Sequence, residues 1–146
     1  MPRIERTAEI VWEGNVARGG GTITAGSDAF QGLPFSLASR VGNPDGKTSP
    51  EELLASAHGG CLTMSLATEL TQAGTPPGRI ESTCRIVMDE VPGEGHQIVG
   101  SQVTLRATAE GADRSAIAAA LGRADEGCPF SMLLRKAGVE VTIDLA

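Results

Sequence analysis

Three cysteines, Cys61, Cys84 and Cys128, carry most of the chemistry open to this sequence. Cys61 stands in the run SAHGGCLTMSL, directly after Gly59 and Gly60. Two glycines inside a helix cost about 1 kcal/mol each relative to alanine, so they need a reason. Lacking Cβ atoms, they leave clearance beside the sulfur for another backbone, a helix or a ligand. A free cysteine packs by default as a small hydrophobe, and a buried thiol is inert unless a cation is near. A reactive Cys61 therefore needs a cation from elsewhere in the chain. Arg40, at the end of the short apolar stretch LPFSLASR, and Arg18, in the turn ARGGG, are the candidates. Each is by default an exposed turn charge, Arg18 more so than Arg40.

Cys128 precedes Pro129 in EGCPF, which puts its sulfur at the start of a helix. Free N–H groups and the helix dipole favour thiolate there, so by helix-end logic Cys128 is the more acidic thiol. Cys84 lies in an alternating strand and reads as core. Glu51 falls in the first turn of a helix, where a carboxylate stabilises the dipole. His58 and Cys61 share a helical face, but no CxxC or HxxxH partner completes a metal set, and His96 reads as a turn residue. RGGGTITAG lacks the GK[ST] and the following helix of a phosphate loop. No metal or cofactor is expected.

The elements that must position these groups follow from periodicity and punctuation. TAEIVWEG and TITAG read as strands around a glycine-rich turn, and LPFSLASR as a third strand ending at Arg40. VGNPDGKTSP is a loop. Residues 49–73 form a long helix, with Ser49 as N-cap, Pro50 at N1, Glu51 and Glu52 in the first turn, and Gly74 closing it. Apolar or small residues cover nearly all its faces, so it should be central and buried. RIESTCRIVMDEV and QIVGSQVTLRATAE pair as long strands around PGEGH. DRSAIAAALGRADEG is an amphipathic helix, CPFSMLLRKAG opens a short one, and VEVTIDLA is the last strand. This order argues an α+β fold with a mainly antiparallel sheet.

The totals exclude several classes. The 146 residues suit one domain, 1–146. A net charge of −6 with no basic stripe, 3% aromatics and no tyrosine argue against a nucleic-acid partner. No apolar run is long enough for a membrane span, and the N-terminus lacks a signal-peptide core, so a cytoplasmic location is expected. An odd number of cysteines in a reducing compartment suggests no structural disulfide framework.

TSPEELLASAHGGCLTMSL, followed by GCPFS with Cys128 standing 67 residues after Cys61, resembles the OsmC/Ohr family of osmotically inducible and organic hydroperoxide resistance proteins. VWEGNVARGGGTIT and PFSLASR resemble its OsmC branch, and the likeness runs over essentially the whole chain. The resemblance implies a thiol-dependent peroxidase of organic hydroperoxides serving in oxidative or osmotic stress. It implies Cys61 as the attacking cysteine and Cys128 as its disulfide partner. Arg40 matches the arginine of the OsmC branch and Glu51 the glutamate after proline. Arg18 is second choice, because the Ohr branch uses an arginine in the early glycine-rich turn. His58 stands where Ohr-type members tend to have tyrosine. It further implies an intertwined homodimer, with sites at the subunit interface and sheets around two long central helices, and a dithiol reductant of lipoyl or thioredoxin type.

One expectation adds helix geometry to what the resemblance implies. Glu51 and Cys61 are ten residues apart on one helix, so their backbones lie roughly 15 Å apart along its axis. One arginine bridging both would be strained, so Glu51 is expected to reach the Cys61 site of the other subunit. Against the helix-end argument, the resemblance favours Cys61 over Cys128 as the attacking thiol. The aliphatic chain of a peroxide would suit an apolar pocket beside GGCLTM. The alternative is a non-catalytic module of the same fold that binds a small apolar ligand. A cysteine hydrolase fits less well, for no His–Asn/Asp pair is placed for Cys61.

Overall fold

A computed structural model describes all 146 residues. They form two compact units, Met1–Pro50 and Glu51–Ala146. The first holds β1 (Ala8–Glu13), β2 (Gly20–Ala25) and β3 (Leu33–Phe35) in an antiparallel sheet of that order. Trp12 and Phe35 stack at a tilt, ring centroids 5.6 Å apart. The expected third strand is cut short: β3 ends at Phe35, and α1 (Leu37–Val41) takes over, carrying Arg40. Ser36 explains the switch. Its hydroxyl accepts from the Ser39 N–H at 3.1 Å while Ser39 Oγ accepts from the Ser36 N–H at 3.2 Å, a reciprocal capping box that starts a helix.

The second unit contains α2 (Pro50–Gln72), β4 (Pro77–Val91), β5 (Gly95–Ala109), α3 (Arg114–Gly127), α4 (Pro129–Lys136) and β6 (Glu140–Leu145). Proline at the first position and two glutamates in the first turn open α2. Its end is a Schellman motif: Gly74 takes φ 80°, the Thr75 N–H donates to Leu70 O, and the Gly74 N–H donates to Thr71 O. Burial follows one stripe, His58, Leu62, Leu66 and Leu70, at a spacing of four. This chain alone does not bury the helix on nearly every face, for Met64 is 69% exposed. The small residues of that side find no cover within the chain.

β4 and β5 pair antiparallel over their whole length, and β6 pairs parallel to β5. A parallel neighbour needs a crossover, and α3 and α4 supply it. Asp113 caps α3, its carboxylate accepting from the Ala116 N–H at 2.8 Å. The core joins the α2 stripe to Val103 and Leu105 of β5 and to Ile117, Ala120, Leu121 and Ala124 of α3. Each buried leucine contributes about 1.5–3 kcal/mol. Ser101 lies on the same face of β5 as Val103 and Leu105 and is just as buried, a polar position inside an apolar stripe.

Candidate active site

Cys61 and Cys128 meet at the seam between α2 and α4. Cys61 packs against the core cluster that holds Cys128, near enough for that thiol to raise its pKa, and both are free thiols. Cys128 is fully buried at the joint where α3 ends and α4 begins. Pro129 fills the first position of α4, and no side chain caps that end. Phe130 follows, and its backbone N–H acts on the Cys61 sulfur. The helix-end argument therefore lands on the other thiol. The free N–H at the head of α4 favours a thiolate on Cys61, with the Ser65 hydroxyl assisting from one turn along α2.

These donors do not prevail. Burial, foremost, and then the neighbouring Cys128 thiol push the Cys61 pKa up from its ordinary value. No arginine or lysine is among the groups that lower the Cys61 pKa. Arg40 lies in α1 and Arg18 in the exposed turn before β2, both in the first unit. The Arg18 backbone N–H donates to Asn15 Oδ1 at 2.9 Å. Glu51 sits in the first turn of α2.

Cys84 is half-buried and packs against the core. It borders an open groove of about 360 Å³ with Glu52, Ala55, Ser56, Gly59, Gly60 and Ser82. Small and polar groups line it, and Cys61 does not. The two glycines separate here. A Cβ on Gly59 would lie 3.1 Å from Cys84 Cβ, so this glycine lets α2 approach β4, whereas a Cβ on Gly60 would meet nothing within 4 Å. Clearance within the chain thus explains Gly59 alone.

Sequence reasoning missed a polar cluster beneath the thiols. His58, fully buried, is hydrogen-bonded through Nδ1 to Ser101 Oγ at 2.6 Å and through Nε2 to Ser131 Oγ at 2.8 Å. Ser101 Oγ also lies 3.6 Å from Cys84 Sγ. Burial holds the His58 pKa below its ordinary value; Asp125 opposes that and Arg135 adds to it. Arg135 of α4 grips Asp125 of α3 with two hydrogen bonds, 3.1 and 2.8 Å. Two signals were readable: His58 begins the stripe continued by Leu62, Leu66 and Leu70, and Ser131 follows Cys128 by three.

A mixed sheet flanked by helices, with two cysteines from different helices touching beside a helix start, defines a dithiol protein of α+β class. A family model described as OsmC-like protein matches residues 42–144, and the chain belongs to that family. It is 31% identical over 141 residues to the protein named peroxiredoxin OsmC in Escherichia coli K12, covering 97% of this chain and 95% of that one. In fold it is similar to the organic hydroperoxide resistance protein OhrB of Bacillus subtilis, with TM-score 0.73, 21% identity, and 96% and 98% of the two chains covered. An OsmC-like protein of unknown function from Vibrio cholerae gives TM-score 0.79 at 12% identity, covering 99% and 100%.

Proposed function

We propose that this chain is a cysteine-based peroxidase that reduces organic hydroperoxides. The observation that carries the reading is the contact of the Cys61 and Cys128 thiols beside the Phe130 N–H. Family membership and the near-full-length relative named a peroxiredoxin support it. In the first step the Cys61 thiolate attacks the peroxide O–O bond. Sulfur takes one oxygen and becomes a sulfenic acid, and the other oxygen leaves as an alkoxide that takes up a proton to form the alcohol. Cys128, already in contact, then attacks the sulfenic sulfur, forming the Cys61–Cys128 disulfide and releasing water. A lipoyl or thioredoxin-type dithiol restores both thiols by exchange.

The raised pKa of Cys61 supports a role for a cation that favours the thiolate and meets the developing alkoxide. We assign this to Arg40, with Arg18 as second choice, and assign Glu51 to hold the guanidinium through a paired contact. Ten residues along α2 separate Glu51 from Cys61, about 15 Å, which supports a homodimer whose site takes Glu51 from the second subunit. No helix is long and apolar enough to cross a membrane. Three free thiols suit the reducing cytoplasm, where we place the protein, in defence against oxidative stress.

The test is stoichiometric cumene hydroperoxide followed by peptide mapping without reductant. A Cys61–Cys128 disulfide and loss of two thiols are expected. Persistence of both thiols would remove the peroxidase reading and leave the ligand-binding alternative. Rates for Arg40→Ala and Arg18→Ala separate the two arginines, the true partner costing about a hundredfold or more in peroxide attack.

A further inference from the structure

The seam between α2 and α4 has two rungs. His58 and Cys61 stand three residues apart on α2, and Cys128 and Ser131 three apart at the head of α4. His58 meets Ser131, and Cys61 meets Cys128. Nothing in the peroxide chemistry uses the first rung. Its burial is nonetheless complete: His58 and Ser131 are 0% exposed and Ser101 1%. A buried polar group that performs no work is costlier than an apolar one of its size, so a polar rung asks for a reason.

The geometry supplies one. An imidazole is a flat, stiff spacer with a polar atom at either end. Here one end is fixed on β5 through Ser101 and the other on α4 through Ser131. Leucine in place of His58 could fill the volume, but it would let α4 slide, since apolar contact is not directional. Apolar burial also holds the head of α4, with Cys128 in the core and Phe130 packed against it, but with proline first and no side-chain cap its one directional side-chain tie is Ser131. The Arg135–Asp125 pair ties the far end of α4 to α3. Sulfenic acid capture tolerates little displacement, because attack needs sulfur within near-contact distance and in line.

We propose that His58 is a positioning residue for disulfide closure: through Ser131 it holds the first turn of α4 so that Cys128 stays against Cys61. The groups facing the imidazole are Ser101 on β5, with Cys84 of β4 behind it, Ser131 and Arg135 on α4, and Asp125 on α3. The proposal rests on reading Cys61 and Cys128 as a redox pair, and it does not need a peroxide to be the oxidant. Its test uses the full chain and diamide, a two-electron oxidant that takes the hydrogens of both thiols as the disulfide closes. Closure is followed by loss of thiols and by peptide mapping.

Ser131→Ala should slow closure about tenfold, as a small misplacement of a reacting group does, and Ser131→Thr, which keeps the hydroxyl, should restore it. Closure at the wild-type rate in folded Ser131→Ala, or equal slowing in Ser131→Thr, would overturn the proposal. Should Ser131→Ala not fold, Ser101→Ala carries the test: slowing of several-fold supports the tether, and an unchanged rate overturns it. Failure of the wild type with hydroperoxide but normal closure with diamide would count against the peroxidase reading and leave this one standing.

Discussion

The two rungs between α2 and α4 lie one helical turn apart and are chemical opposites. At His58 both ring nitrogens have hydroxyl partners, and no buried side-chain nitrogen or oxygen in the chain lacks one. At Cys61 burial and a second thiol hold the proton on sulfur against the pull of one N–H and one hydroxyl. The first rung has a partner at each ring nitrogen. The second keeps its proton on sulfur, and under the proposed function it becomes reactive when a cation favours the thiolate. A fixed contact next to a poised one is how a fold presents two reacting atoms without ordering them at each turnover.

Cutting each rung should give different losses. Cys61→Ser removes the nucleophile, so peroxide consumption should drop about a thousandfold or more while stability stays within ~1 kcal/mol. A large loss of melting temperature in that variant would show that the reactive rung is also structural. His58→Ala should do the reverse to stability. It opens a cavity and strands two buried hydroxyls, costing about 3 kcal/mol, which denaturant titration reads directly.

The pH dependence sharpens the same contrast. The His58 pKa lies below its ordinary 6.5 in the folded state because burial disfavours the cation. Unfolded chain then binds a proton that folded chain does not. The contribution is fully present above about pH 6.5 and is lost as pH falls toward the folded value. Wild-type stability should decline over that window, and His58→Gln should flatten the decline. An equal slope in both proteins would assign the effect to other groups.

The adjacent glycines give the smallest effects. Gly59→Val should destabilise by about 1–3 kcal/mol, because Cys84 Cβ already lies 3.1 Å from where the first added carbon would sit. Gly60→Ala meets nothing in the chain, so helix propensity alone should stabilise it by up to ~1 kcal/mol. If Gly60→Leu leaves stability intact but lowers peroxidase activity or weakens dimerisation, its clearance serves a peroxide or a second subunit; a change in neither would remove that explanation.

Much of this was legible in the sequence, for identifiable reasons. Long elements with strong periodicity and clear punctuation, α2 with its Pro50 and Gly74 and the β4–β5 pair, formed where expected, except that the turn is tighter than PGEGH: His96, expected in the turn, lies in β5 opposite Glu90. LPFSLASR reads as a single strand because a three-residue strand and a five-residue helix are each too short for either period to show, and the Ser36–Ser39 box decides between them. Cys61 and Cys128 stood out by their neighbours. The His58 cluster did not, because Ser101 and Ser131 look like ordinary surface serines until three elements converge. The direction of the helix-end effect was also hidden. Sequence places Cys128 at the head of α4, but only packing reveals that the Phe130 N–H acts on Cys61.

The central claim, that Cys61 is the sulfur that meets the peroxide, is tested most directly by dimedone trapping of sulfenic acid. The protein is treated with one equivalent of cumene hydroperoxide as Cys128→Ser and as Cys61→Ser, and the adducts are mapped by mass spectrometry. The account predicts a stable adduct on Cys61 in Cys128→Ser, where closure is blocked, and none in Cys61→Ser. An adduct on Cys128 in the Cys61→Ser protein, with none on Cys61 in the other, would contradict it.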